Sequence, residues 1–190
     1  MATNAEYQSK ISEYKWSDLL GLWEAIKAGD TPDWDAGKAF EYLVLQAFKL
    51  EGAHIFWPYN VKLGDVTGTE AKTSLEQIDG FIHTNDGLAC LIECKDTTGP
   101  VNIEPVAKLH YQLLRRPSAA TGIVFSRSGF TVPAVQLAQH AARRVIFLWS
   151  GDEVEFALQE KCFCKGLTTK YRVCVAKGLP DYNILLEVEL

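Results

Sequence analysis

The stretch "QIDGFIHTNDGLACLIECKD", residues 77–96, decides the fold class. Within it, residues 88–92 are apolar at both alternating positions, which is typical of a central strand covered on both faces. The apolar run ends in Glu93 and Lys95, which share one face because strand side chains alternate with a period of two. Glutamate and lysine are almost never fully buried unless they are paired or functional, so their position at the end of a central strand indicates one of these two roles.

The turn inside this stretch predicts the position of a third charged residue, Asp79. Residues 85–87, Asn-Asp-Gly, suit a three-residue hairpin loop that ends with glycine in the left-handed conformation. Such a loop pairs Thr84 with Leu88 and places Asp79 opposite Glu93, with Cβ atoms about 5 Å apart. A two-residue loop would shift the register by one and turn Asp79 to the other face of the sheet.

Two carboxylates at this separation repel each other unless a cation lies between them. Mg²⁺ suits such a site, because it binds oxygen ligands from one or two carboxylates and accepts phosphate oxygens as well. Lys95 would add a cation beside the attacking water and the phosphate. Together these groups favour metal-assisted hydrolysis of a phosphodiester. The alternative is a structural ion pair at a strand end, in which Lys95 bridges the acids.

Hydrophobic periodicity around the hairpin predicts alternating helices and strands. The predicted helices cover an apolar stripe between residues 16 and 26 and the segments 36–51, 104–116 and 132–142. Besides the two hairpin strands, 77–83 and 88–95, the predicted strands are 53–61, 121–125 and 145–149. Successive strand–helix–strand units imply right-handed crossovers and locally parallel strands. The expected fold is therefore α/β, a mixed sheet flanked by helices.

No Gly-, Ser- or Pro-rich linker divides the chain, so we expect a single domain over residues 1–190. Residues 1–30 read as an N-terminal helical extension. Residues 64–75 are polar and predict a loop. Residues 160–190 read as a β extension, with a hairpin over "CFCKGLTTKYRVCV" and a last strand over "YNILLEVEL".

The bulk properties limit the classes of function. The 190-residue chain is 47% hydrophobic, and its apolar runs are too short to cross a membrane. The first ten residues show no secretion signal, so we expect a cytoplasmic protein. The net charge of −5 disfavours a surface coated in positive charge for non-specific nucleic-acid binding, but it allows a local basic groove.

Five cysteines leave two interpretations open. Cys162, Cys164 and Cys174 would supply three thiolates to a zinc ion. Their spacing is not the usual C-x-x-C, however, and no fourth ligand follows at a suitable distance. The other interpretation is reduced cysteines within strands.

The chain resembles the PD-(D/E)xK nuclease superfamily, which has the restriction-endonuclease-like fold. The resemblance rests on the order of a helix with an internal glutamate, an aspartate-bearing strand, a turn, an E-x-K strand, a helix and a strand. The segments "GKAFEYLVLQAFKLEGAHI" and "GIVFSRSGFTVPAVQLAQHAARRVIFLWSGDEVE" are similar to Mrr-like restriction endonuclease domains. The resemblance covers residues 36–158, the nuclease core, and implies an αβββαβ core with an additional helix and strand. Ile78 stands where the superfamily often has proline before the aspartate.

The resemblance implies a role for each site residue. Asp79 and Glu93 match the metal-binding acids, with the main-chain carbonyl of Cys94 as a further ligand to Mg²⁺, for which Mn²⁺ can substitute. Lys95 matches the lysine that positions or activates the attacking water. Glu41 matches the helix acid that reaches toward the site.

Gln112 is the best match to the glutamine of the helix that follows the E-x-K strand. Lys108 and Arg115 lie on the same face of that helix, which either follows a phosphate backbone or is simply solvated. The loop at residues 126–128 is a further candidate for phosphate contact.

The function implied is a metal-dependent endonuclease that acts on DNA. The alternatives are a non-catalytic or partner-activated DNA-binding or assembly module of the same fold, and a junction resolvase or RNase. A homodimer or a protein partner would supply specificity, because the sequence contains no helix-turn-helix or zinc-finger region.

Overall fold

The structure, a computed structural model, describes residues 3–70, 72–141 and 144–186. Its helices are α1 Asn4–Ser12, α2 Trp16–Ala28, α3 Lys38–Leu50, α4 Leu63–Thr67, α5 Ile103–Leu113, α6 Val132–His140, α7 Gly151–Glu160 and α8 Phe163–Lys177. Its strands are β1 His54–Phe56, β2 Tyr59–Lys62, β3 Ser74–Ile78, β4 Gly80–His83, β5 Ala89–Lys95, β6 Thr121–Ser126 and β7 Ile146–Trp149.

Five strands form a mixed sheet in the order β1-β4-β5-β6-β7. The pairs β1–β4 and β4–β5 are antiparallel, whereas β5–β6 and β6–β7 are parallel. Strands β2 and β3 form a separate antiparallel ribbon. The mixed sheet with its parallel half confirms the α/β fold class and the restriction-endonuclease-like arrangement expected from the sequence.

The predicted register of the β4–β5 hairpin is confirmed. The N–H of Thr84 donates to the carbonyl of Leu88 at 3.0 Å across the 85–87 loop, whose glycine has a φ of 85°. One position beyond the last pair of this ladder, the register brings Asp79 opposite Glu93. Because the side-chain period is two, a one-residue slip would have separated these acids.

Side-chain alternation divides the core into two layers. One face of the sheet packs against α1, α2, α3, α7 and α8, and Ile92 and Phe125 point to it. The other face packs against α5 and α6 through Leu91 and Val124. Glu93 and Lys95 have the parity of Leu91, so they belong to the face that α5 covers.

Gly80 allows α3 to approach the sheet beside Asp79. A Cβ atom at this position would lie 2.6 Å from Cδ2 of Leu45, a fully buried side chain of α3. Real carbon contacts are longer, so a side chain here would push α3 away from β4. The close approach brings Glu41, also on α3, toward the end of the sheet that carries the acids.

The predicted C-terminal hairpin is wrong. The segment "CFCKGLTTKYRVCV" forms α8, and residues 182–186 form no strand. The remainder of the predicted last strand, residues 187–190, lies outside the described part of the chain. The carboxylate of Glu51 accepts hydrogen bonds from the N–H groups of Phe163 and Cys164 at 2.5 and 3.0 Å, which satisfies free donors at the start of α8.

Three smaller predictions also need correction. The predicted strand over residues 53–61 is two short strands, β1 and β2, interrupted at residues 57–58. The predicted loop over residues 64–75 contains most of α4 and the start of β3. The N-terminal extension contains α1 in addition to the predicted helix. Thr3 caps α1, because its side-chain oxygen accepts a hydrogen bond from the N–H of Glu6 at 3.3 Å.

Candidate active site

Glu93 is the most buried acid at the end of the sheet, with a relative exposure of 0%. Its two carboxylate oxygens face different ammonium groups. The Nζ of Lys95 lies 2.6 Å from Oε1, and the Nζ of Lys108 lies 2.7 Å from Oε2. A buried carboxylate is strongly destabilising without such partners. Two lysines, one on β5 and one on α5, supply these partners to Glu93.

Asp79 lies at a bend between β3 and β4 and is also buried. Its Oδ2 accepts a hydrogen bond from the N–H of Cys94 at 3.0 Å, which ties the bend to β5. Burial and the charge of Glu93 nevertheless raise the pKa of Asp79 above its usual range. The raised pKa is the expected result of placing two acids side by side in a buried position.

Glu41 lies in the first turn of α3, and its Oε2 is 2.6 Å from the Nζ of Lys38. Burial, followed by the charge of Asp79, raises the pKa of Glu41 to about 7. Asp79 is therefore close enough for its charge to affect the protonation of Glu41. The three acids form a chain of neighbours, from Glu41 to Asp79 to Glu93.

Lys95 remains an ammonium ion at neutral pH. Burial on its own would lower its pKa, but the charge of Glu93 and the hydrogen bond to it, together with the charge of Asp79, more than offset that effect and raise the pKa. The side chain is about one-third exposed, so its ammonium group borders both the buried acid and solvent.

Gln112 is buried, and its amide does not extend to the acids. Its Nε2 donates to the main-chain carbonyl of Gln77 at 3.1 Å, two residues before Asp79. Three residues past the end of α5, Arg116 donates to both carboxylate oxygens of Glu76, at 3.0 and 2.8 Å. The C-terminal end of α5 and the residues that follow it therefore hold β3, the strand that leads into Asp79.

The other cations considered from the sequence have acidic partners. Arg115 forms an ion pair with Glu76. In the loop after β6, the Nε of Arg127 lies 2.5 Å from Oδ1 of Asp96. The main-chain N–H of Arg127 donates to the carbonyl of Lys95 at 3.1 Å. The sequence identified Lys108 only as one residue of a polar helix face. Its contact with Glu93 follows from the packing of α5 on β5, for which the sequence carries no local signal.

The donors at this site fit a hard divalent cation. The described residues contain no group of three or more His, Cys, Asp and Glu side chains arranged around a common metal position. Asp79 and Glu93 are two carboxylates, and Mg²⁺ is commonly held by one or two carboxylates plus water and phosphate oxygens. The N–H of Cys94 points at Asp79. Because the N–H and carbonyl of one residue in an extended strand point to the same side, the carbonyl of Cys94 points to the side of Asp79 as well. The chemistry of the donor set therefore suits Mg²⁺ or Mn²⁺.

The cysteines do not form the zinc site considered from the sequence. Cys164 and Cys174 are ten residues apart on α8, which separates them by about 15 Å along the helix. The five cysteines are free thiols. Three of them, Cys162, Cys164 and Cys174, do not lie in strands, so the expectation of strand cysteines is wrong for these three. Cys90 and Cys94 are buried within β5.

Comparison with known families agrees with this geometry. A model of the Mrr-type catalytic domain family, described as restriction endonuclease, matches residues 35–157. The match covers more than half of the 190 residues. The chain belongs to this restriction endonuclease family. The matched span agrees within one residue at each end with the 36–158 core expected from the sequence, and it contains both acids and Lys95.

No curated protein matches the chain at a significant level. Within the described residues, no helix is both long enough and apolar enough to span a membrane.

Proposed function

We propose that this protein is a Mg²⁺-dependent endonuclease that hydrolyses phosphodiester bonds of DNA. One observation carries the proposal: Asp79 and Glu93 are buried opposite each other, and the ammonium group of Lys95 touches Glu93. A purely structural ion pair needs one acid and one base. A second buried acid next to the first is unfavourable for folding, so its presence favours a catalytic function.

The carboxylates of Asp79 and Glu93, with the main-chain carbonyl of Cys94, would hold the metal ion. When bound, Mg²⁺ or Mn²⁺ would supply a lowered pKa for the attacking water and stabilisation of charge on the phosphate. The hydrogen bond from the N–H of Cys94 fixes Asp79, so the carboxylate orientation is set before substrate arrives. Lys95 would donate hydrogen bonds to the attacking water and to a phosphate oxygen.

Glu41 and Gln112 support this arrangement in different ways. With a pKa of about 7, Glu41 can hold a proton at neutral pH or release it as the charge near Asp79 changes. Gln112 acts as a positioning residue, because it holds the main chain at Gln77 rather than the reacting groups. Both roles remain proposals.

A non-catalytic DNA-binding or assembly module is the second candidate. The observation that favours it is the occupation of both Glu93 oxygens by lysine ammonium groups, which is also how a metal-free structural site would be neutralised. A junction resolvase or RNase would use the same acids and lysine, so only the choice of substrate separates these activities. A cytoplasmic location and a homodimer or protein partner remain predictions.

Incubation of the protein with a panel of nucleic acids tests the proposal. Supercoiled, linear and single-stranded DNA, a four-way junction and RNA are each incubated with Mg²⁺, with Mn²⁺ or with EDTA. The proposal expects metal-dependent cutting of DNA that EDTA abolishes. Cutting of RNA alone or of the junction alone would reassign the substrate. Calorimetric Mg²⁺ binding without any cutting would favour the non-catalytic module.

A further inference from the structure

Two lysines contact the candidate metal ligand Glu93: Lys108 from α5 and Lys95 from β5. The Nζ of Lys108 lies 2.7 Å from Oε2 of Glu93. The side chain of Lys108 is 43% exposed, whereas that of Glu93 is 1% exposed. The ammonium group therefore approaches the buried acid from the solvent side. It contacts the oxygen that faces away from Lys95.

The charges around Glu93 balance only when Lys108 is included. Asp79 and Glu93 carry two negative charges, and Lys95 and Lys108 carry two positive ones at contact or close range. The third acid, Glu41, is paired with its own lysine, Lys38. Addition of a divalent cation to this group would leave four positive charges against two negative ones. Repulsion between like charges in a partly buried site is screened only weakly. One of the ammonium groups must then move away from Glu93.

Lys108 is the lysine that can move. Lys95 belongs to a strand bonded on one side to β6, and its carbonyl is held by the N–H of Arg127. Lys108 lies on the outer surface of α5 with a more exposed side chain, so its ammonium group can leave without any movement of the main chain. A phosphate group of a bound nucleic acid is the anion that would enter the site together with the metal ion.

We propose that Lys108 is a second phosphate-binding lysine of this site. It neutralises Glu93 in the free protein and passes to a substrate phosphate when a divalent cation engages Glu93. This inference rests on the proposed function, and it adds a consequence. Because metal displaces Lys108 and DNA binds it, each ligand should strengthen the binding of the other by the same factor.

Calorimetric titration with Ca²⁺ tests the first half of the proposal. Ca²⁺ replaces Mg²⁺ under conditions in which the wild-type protein is first shown not to cut DNA. Lys108→Gln removes the competing ammonium group, so the variant should bind Ca²⁺ roughly fivefold more tightly than wild type when DNA is absent, the low end of typical couplings. Lys108→Arg, which keeps the charge, should stay close to wild type.

DNA binding tests the second half. In the presence of Ca²⁺, Lys108→Gln should bind a DNA duplex more weakly, and the slope of its salt dependence should fall by about 1 because one phosphate contact is lost. The strengthening of Ca²⁺ binding by DNA should also shrink. Lys177→Gln, at an exposed lysine on the last turn of α8, should change none of these quantities. Melting temperatures of all variants control for folding.

Two kinds of result would overturn the proposal, and they are distinguishable. If wild type cuts DNA but Lys108→Gln has an unchanged Ca²⁺ affinity or an unchanged salt slope, only the role of Lys108 is wrong. If wild type neither cuts nor binds any nucleic acid with a metal present, the proposed function and the role of Lys108 fail together.

Discussion

At the scale of single residues, the candidate site is a place where charges are gathered at a cost to stability. Glu41, Asp79 and Glu93 are all buried, and the pKa values of Glu41 and Asp79 are raised by burial and by a neighbouring acid. Natural proteins keep such unfavourable groups mainly where function requires them. Neutralisation of Glu41, whose pKa these effects raise to about 7, should therefore make the metal-free protein more stable above that pH.

Glu41→Gln should stabilise the protein at pH 8 and leave its stability at pH 5 nearly unchanged. In the folded protein the pKa of Glu41 is about 7, above the ordinary value of 4.5 that applies to the unfolded chain. Between these values the folded state binds more protons, so stability falls as pH rises from about 4.5 to 7. The variant lacks this loss, which should be on the order of 1–3 kcal/mol.

Thermal unfolding at pH 5 and pH 8, without metal, measures the effect. The control is Glu24→Gln, at an acid whose side chain is 65% exposed, which should give the same pH dependence as wild type. An equal stabilisation by Glu41→Gln at both pH values would contradict the raised pKa of Glu41.

At the scale of secondary structure elements, the contact between α3 and β4 decides where Glu41 and Asp79 meet. Gly80→Ala should destabilise the fold by about 1–3 kcal/mol, because the added methyl group overlaps Leu45 in a packed core. Chemical denaturation measures the change. Gly21→Ala is the matched control. Gly21 lies inside α2, where a Cβ meets nothing within 4 Å, so this change should stabilise by about 0.5–1 kcal/mol. Equal effects of the two substitutions would contradict the close packing.

The sequence predicted the elements whose signals are local. Hairpin register follows from the loop at residues 85–87, and that loop alone was sufficient to pair Asp79 with Glu93. The order of helices and strands through residues 104–149 was also confirmed. These predictions succeeded because turn chemistry and apolar periodicity act over a few residues.

The error at α8 has a physical explanation. Its valine, threonine and tyrosine residues have a preference for strands, which is consistent with the predicted hairpin. The buried positions instead follow a helical period: Phe163, Gly166, Leu167, Lys170 and Val173. A lysine and a glycine at buried positions hid this pattern, because neither is expected on the apolar side of a helix. Tertiary packing overrode the intrinsic preference.

At the scale of the whole molecule, the buried Lys170 joins the C-terminal segment to the sheet. Its Nζ lies 2.6 Å from Oε1 of Glu153 and donates to the carbonyls of Leu148 and Tyr182 at 2.7 and 2.5 Å. Lys170→Met should cost about 3–5 kcal/mol of unfolding free energy, because it leaves Glu153 buried without its partner.

Chemical denaturation of three variants isolates this ion pair. The double variant Lys170→Met with Glu153→Gln should recover part of the loss, because it no longer buries an unpaired charge. Lys177→Met, at an exposed position on the same helix, should change the unfolding free energy by less than about 0.5 kcal/mol. A loss for Lys170→Met no larger than that of Lys177→Met would contradict the account of this contact.

The candidate site also depends on the whole molecule, since it combines residues from α3, the β3–β4 bend, β5 and α5. Asp79, Glu93 and Lys95 were predicted because a single hairpin carries them. The contacts from α5 were not: Lys108 with Glu93, and Gln112 with the carbonyl of Gln77. They depend on how α5 is rotated on the sheet, and that rotation is set by core packing between residues far apart in sequence.

Cleavage of supercoiled DNA with Mg²⁺ tests the central claim most directly. Wild type is compared with Asp79→Asn, Lys95→Gln and the control Lys177→Gln, after melting temperatures show that all four are folded. The account predicts that wild type and Lys177→Gln cut at similar rates. Loss of Asp79, the proposed metal ligand, or of Lys95 should reduce the rate at least about 100-fold. Undiminished cutting by Asp79→Asn and Lys95→Gln would contradict the account, because the activity would then arise elsewhere in the molecule.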